Sequence, residues 1–148
     1  MIAPPRTDAE IPGYVEALDL PGLADIHVHF LPQNVLDKVW SYPHRPGMAA
    51  WLNDWNREFA AAHPDVVHCG TLYAEPESAE YVPAALEAGA RLFKVHVQVG
   101  GFAPDDRVLD PAWAALSEAQ VPIVIHAGSK PLPGEFIGPE AVARVLER

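Results

Sequence analysis

Short apolar runs alternate with stretches of helical spacing along most of the chain. Four runs rich in branched apolar residues have the length of buried strands, and they cover residues 23–29, 66–72, 91–101 and 121–128. In the third run, Lys94, His96 and Gln98 share one face, because side chains in a strand alternate faces with period two. The other face of that run is apolar, which predicts two different environments for its two sides.

Helices are predicted between these strands. From Met48, apolar residues including Trp51 and Trp55 recur at helical spacing until Pro64 prevents continuation, which predicts a helix with both tryptophans in the core. Three further helices are predicted, one ending at Glu87 with Gly89 as its cap, one running from the N-cap Asp110 to about Gln120, and one starting at Gly138 and Pro139.

This alternation predicts right-handed βαβ units and a parallel sheet. Two α/β architectures contain such units, a doubly wound sheet and a (β/α)8 TIM barrel. No GxGxxG or GxxxxGK[ST] sequence follows a predicted strand, so the main signal for a nucleotide-binding doubly wound fold is missing. Histidines lie at or near the carboxyl ends of three predicted strands, where barrel enzymes assemble their sites, and this favours the barrel. They are His27, His29, His96 and His126.

The first of these strand ends has the spacing of a metal site. In LADIHVHFLP, His27 and His29 are one residue apart and point to the same side of the predicted strand. Neutral imidazole is the commonest protein ligand for zinc and related ions, so two from one strand supply half of a tetrahedral shell. A polar strand end with two solvated histidines is the alternative interpretation of this motif.

Composition and charge exclude several classes of partner. The 148 residues carry a formal net charge of −10, and the ten basic residues are spread singly, unlike the positive cluster that nucleic acid or an anionic membrane requires. No run approaches the roughly 18 apolar residues of a membrane span. The one cysteine, Cys69, is expected to be a small buried hydrophobe, and the N-terminus lacks the apolar core of a signal peptide, so the cytoplasm is the expected compartment.

Three segments together carry a family resemblance. DIHVHF after the first strand, FKVHV on a middle strand and PIVIHAG closing a later strand resemble the amidohydrolase superfamily, in particular the amidohydrolase-related branch that contains 2-amino-3-carboxymuconate semialdehyde decarboxylase. The resemblance implies that His27, His29 and His126 bind a divalent metal ion, with zinc favoured. It further implies a metal-binding histidine after strand six and an aspartate after strand eight, which acts on the water; neither position occurs in this sequence.

The resemblance covers only part of a barrel. A (β/α)8 barrel needs about 250 residues, and nothing between Phe30 and Met48 reads as strand two. We therefore expect an N-terminal tail at 1–20 and a partial barrel domain at 21–148, whose strands resemble the first, third, fourth and fifth. The catalytic aspartate is expected in a part of the protein beyond the 148 residues.

Other polar residues at the predicted strand ends are candidates for substrate contact or support of the ligands. Lys94 occupies the strand on which binuclear relatives carry a carboxylated bridging lysine, and the alternative is a lysine paired with a carboxylate. His96 is expected to support the ligands, contact substrate or form a structural hydrogen bond. Arg45 offers a bidentate fork to a substrate carboxylate, against the alternative of a solvated loop.

The function expected from these features is metal-dependent hydrolysis of a small amide, ester or lactone. A metal-dependent non-oxidative decarboxylase is the second hypothesis, because the same branch contains both chemistries. A non-catalytic partial barrel that binds or assembles is the third. The expected partner is a small-molecule substrate, and a homo-oligomer is compatible with the sequence.

Overall fold

A computed structural model of the chain describes residues 7–17, 43–128 and 139–147. Its helices are α1 (Ile11–Ala17), α2 (Met48–Ala62), α3 (Ser78–Glu87), α4 (Val97–Gly100), α5 (Asp110–Glu118) and α6 (Glu140–Leu146), with 3-10 helices at Asp8–Glu10 and Arg107–Leu109. Its strands are β1 (Cys69–Gly70), β2 (Leu92–His96) and β3 (Ile123–His126). The predicted strand at 23–29, with its HxH motif, lies outside the described residues.

The three strands form one parallel sheet in the order β1-β2-β3. Gly70 pairs with Phe93, and along the second ladder Val95 pairs with Ile125. Helix α3 connects β1 to β2, and α5 connects β2 to β3. The predicted βαβ units are confirmed, and this mixed α/β arrangement is compatible with part of a TIM-type barrel.

The hydrophobic core lies between one face of the sheet and the helices α3 and α5. Phe93 and Val95 of β2 are both 0% exposed, and they belong to one cluster with Val82 of α3 and Leu116 of α5. Complete burial of a side chain of this size contributes about 1.5–3 kcal/mol. Because these residues fix one face of β2 against the helices, period two directs Lys94 to the opposite face.

Helix α2 begins and ends as predicted, but it is rotated about its axis relative to the expectation. The residues that it buries are Ala49, Leu52 and Asn53, whereas Trp51 is 44% exposed. Both tryptophans were expected in the core. Trp55 is only half-buried and lies outside the core cluster, and for Trp51 the prediction is wrong. Trp51 is exposed because Asn53 occupies the buried side of α2, where its side chain bonds to the backbone of Thr71.

The two asparagines of α2 bond to the backbone of β1 and the residue after it. Asn53 accepts a hydrogen bond from Thr71 N at 2.7 Å and donates to Thr71 O at 3.1 Å. Asn56 donates to Cys69 O at 3.0 Å. Residues 69 and 71 direct their backbone groups away from β2, because successive residues of a strand face alternate sides and His68 O accepts from the β2 side. Helix α2 therefore provides hydrogen-bond partners for backbone groups at the outer edge of β1, where a neighbouring strand would otherwise pair.

All three strands of the sheet are shorter than their predicted runs, and β2 covers only Leu92–His96 of 91–101. The run at 66–72 contributes only Cys69–Gly70 to the sheet. Val66 N still bonds to His63 O in the turn after α2, and the backbone N and O of Thr71 bond to the side chain of Asn53. The run at 121–128 forms β3 over Ile123–His126.

Helix starts also differ in detail from the expectation. Asp110 is the first residue of α5 and not its N-cap, and Asp106 instead caps the preceding 3-10 helix by accepting from Val108 N at 3.0 Å. Gly89 has the positive φ of 93° expected of a residue that ends a helix.

The asparagine contacts predict a graded loss of stability. Asn53→Leu is expected to lower the free energy of unfolding by about 2–6 kcal/mol, because it leaves two buried backbone groups without a partner at about 1–3 kcal/mol each. Asn56→Leu removes a single bond at a half-buried site and should cost less than half as much. Urea unfolding followed by circular dichroism measures both values, and equal losses would contradict the role given to Asn53.

Candidate functional site

Two histidines from neighbouring strands lie side by side at the carboxyl edge of the sheet. His96 ends β2, His126 ends β3, and the register pairs the two residues directly. Their rings stack with centroids 3.9 Å apart and an interplanar angle of 10°. The sequence-based expectation that histidines converge at this edge is confirmed for these two residues.

His96 is fixed by a bond that also ends its strand. It is 4% exposed, and its Nδ1 accepts a hydrogen bond from Val99 N at 3.2 Å. The prediction of a strand over 91–101 is wrong beyond His96, because this bond caps the helical turn α4 and Gly101, with φ 68°, ends it. Since Nδ1 accepts, the ring proton of a neutral His96 is assigned to Nε2.

The stacking of the two rings decides how they can bind a metal ion. The lone pair of an imidazole nitrogen lies in the ring plane, so an ion bound to it lies close to that plane. The planes of His96 and His126 are nearly parallel and 3.9 Å apart at their centroids. One ion cannot lie in both planes, so the arrangement suits one ligand and one supporting ring.

The nitrogen side of His126 fits a metal ligand. An ideal Cβ built on Gly128 would lie 3.0 Å from His126 Nε2, so the bare glycine leaves room beside this nitrogen. The other two ligand candidates, His27 and His29, lie outside the described residues. Among the residues that are described, no group of three or more His, Cys, Asp or Glu side chains could hold a metal ion.

Lys94 lies on the strand face that carries His96, two residues before it. Desolvation by burial lowers the pKa of its ammonium, and a weaker interaction with Cys69 opposes the shift. Within the described part of the chain, none of the ion pairs involves Lys94, so the expected pairing with a carboxylate is not found there.

Arg45 lies in the loop that leads into α2. Its side chain is exposed, and the loop is held to the end of β1 through Gly47 N, which donates to Glu75 Oε2 at 2.7 Å. Glu75 is 4% exposed, and its Oε1 has no hydrogen-bond partner among the described residues. The buried carboxylate thus positions the loop, whereas the structure assigns Arg45 itself no contact with the strand ends.

The remaining candidates lie away from the paired histidines. His63 follows α2 at its carboxyl end, and its Nδ1 is 2.8 Å from Phe59 O. Burial raises the pKa of the Cys69 thiol to about 11, so the thiol is protonated at neutral pH and behaves as a small apolar group.

Sequence reasoning missed two residues near the site. Asn53 does not belong to the apolar spacing that predicts α2, and only its contact with Thr71 reveals its role. Gly128 was not singled out, although a glycine two residues after a strand-end histidine was visible in IHAG.

Comparison with known proteins gives a match at the level of the family. A family model described as Amidohydrolase matches residues 44–148, a range that includes β1, β2, β3 and both paired histidines. No curated protein and no solved structure matches the chain. Among the described residues, none of the helices combines the length and apolar character that crossing a membrane requires.

The environment of Lys94 predicts a pH-dependent effect on stability. With its pKa lowered in the folded state, Lys94 binds fewer protons than in the unfolded chain, so its charged form costs stability at neutral pH and the cost fades as pH rises toward the unfolded value near 10.5. Lys94→Met should therefore stabilise the protein at pH 7, and the gain should shrink by pH 10.5.

Urea unfolding between pH 7 and 10.5 tests this expectation. The control is Arg91→Met, which removes an exposed cation just before the same strand and should show no such pH dependence. A pH-independent difference between Lys94→Met and the wild type would refute the desolvated environment of Lys94.

Proposed function

The chain belongs to the amidohydrolase family, and we propose that it contributes His27, His29 and His126 to the metal centre of a hydrolase that acts on a small amide, ester or lactone. The observation that carries this proposal is the position of His126 at the carboxyl end of β3, beside His96 and inside the matched range. The proposed ion is divalent, with zinc favoured by the imidazole ligands.

The chemistry follows from the properties of such an ion. A divalent metal held by imidazoles lowers the pKa of a bound water from about 15.7 toward 7 and polarises a substrate carbonyl. The proposed role of the chain's own residues is to bind the ion and to hold its ligands in orientation. His126 supplies a ligand nitrogen, and the stacked ring of His96, fixed through Val99 N, restricts rotation of the His126 ring.

Lys94 and the loop that carries Arg45 are proposed to contact substrate. Lys94 shares the strand face of His96, and its amine lies in partly desolvated surroundings, where a hydrogen bond to a substrate oxygen is stronger than in water. Arg45 is exposed in a loop anchored by Glu75, so its guanidinium is free to reach a carboxylate without moving the loop.

Loss of the proposed ligand should reduce both metal content and turnover. His126→Ala is expected to lower the bound metal after dialysis and to lower hydrolysis of a panel of small esters, lactones and amides by more than about tenfold. His63→Ala is the matched control, because it removes an exposed histidine at the end of α2. Metal content is measured by mass spectrometry of the ion. Activity is measured by proton release for the esters and lactones and by the amine that is liberated for the amides.

Three other outcomes lead away from hydrolysis at a metal site. Carbon dioxide released from unsaturated or aromatic acids, without consumption of water, would identify the decarboxylase instead. Unchanged metal content in His126→Ala would contradict the assignment of this ligand. Absence of stoichiometric metal from the wild type would favour the non-catalytic binding module.

A further inference from the structure

A side chain at Gly128 would meet the imidazole of His126. An ideal Cβ on Gly128 would be 3.0 Å from Nε2, 3.5 Å from Cδ2 and 4.0 Å from Cε1 of that ring, and these are the nearest atoms that the described residues present to it. The Cβ would thus lie nearest the nitrogen and farther from both ring carbons that flank it. At 3.0 Å the contact is tighter than an ordinary van der Waals contact, so the ring would have to move.

Backbone conformation does not explain the glycine. Among the described residues, the glycines with positive φ are Gly47, Gly89 and Gly101, and Gly128 is not one of them. Gly128 is also exposed, so core packing does not require a small residue there. What a side chain at position 128 would occupy is space next to His126 Nε2.

We propose that Gly128 is a positioning residue that determines metal occupancy at His126, because a side chain at this position would occupy the approach to Nε2. This inference rests on the proposed function, in which His126 is a ligand. An imidazole nitrogen binds zinc at about 2.0–2.1 Å, so an ion on Nε2 and a methyl group 3.0 Å from the same atom would compete for one space.

Movement of the His126 ring away from a side chain at position 128 would disturb another contact of that ring. The ring of His126 could turn away from a Gly128 side chain only by giving up its near-parallel stack on His96, which is itself held through Val99 N. A side chain at position 128 therefore either excludes the ion or misorients the ligand that binds it. In both cases the affinity for metal falls while the rest of the fold is untouched.

The test is a titration of the metal-free chain with Zn²⁺, measured by isothermal titration calorimetry in five proteins. These are the wild type, Gly128→Ala, Gly128→Ser, His126→Ala and the control Gly13→Ala, an exposed position where an added Cβ meets no atom of the described residues within 4 Å. We expect Gly128→Ala to bind Zn²⁺ more than about tenfold more weakly than the wild type, and Gly128→Ser at least as weakly. Gly13→Ala should bind as the wild type does, and metal-free Gly128→Ala should melt at the wild-type temperature.

The outcomes separate this inference from the proposed function. Wild-type affinity in Gly128→Ala, with weakened binding in His126→Ala, would overturn the role of Gly128 and leave His126 as a ligand. Failure of metal-free Gly128→Ala to fold would also overturn it, because the glycine would then serve folding and not metal access. Absence of Zn²⁺ binding by the wild type, or unaltered binding by His126→Ala, would overturn the proposed metal site and the inference with it.

Discussion

The burial of Phe93 and Val95 against α3 and α5 is the constraint on which the site depends. Both side chains are 0% exposed, so β2 cannot be turned over without exposing the centre of the core. Period two then places Lys94 and His96 on the opposite face. The parallel register with β3 adds His126 to the same edge, because it pairs His96 directly with that residue. Core packing and site geometry are therefore consequences of the same strand orientation.

Much of the fold could be predicted from local patterns. The limits of α2 followed from apolar spacing between Met48 and Pro64, and the paired βαβ units followed from the order of the runs. The end of β2 could not be predicted in this way, since HVQV keeps the alternation of a strand while His96 Nδ1 caps a helical turn instead. A hydrogen bond across three residues leaves no mark on hydrophobic periodicity.

Contacts between elements were hidden from the sequence for a similar reason. An asparagine on a predicted helix is normally solvated, and the burial of Asn53 follows only once α2 lies against the open edge of β1. The same contact turns Trp51 toward solvent, although its spacing fits the apolar face. The family resemblance predicts that His126 is a ligand. The structure adds that the ring of His96 stacks on it. His27 and His29 stay predictions, because they lie outside the described residues.

The stacked pair also bears on the proposed roles of the two histidines, with His126 as the ligand and His96 as its support. His96 has its Nδ1 committed to the backbone and its ring nearly buried, which fixes the position of the ring at little entropic cost once the strand has formed. A fixed flat surface beside His126 limits the rotation of that ring about its own side-chain bonds. A side chain already held in one orientation loses less conformational entropy when an ion binds. The entropic cost of ordering the proposed ligand is therefore incurred when the protein folds and not when the metal binds.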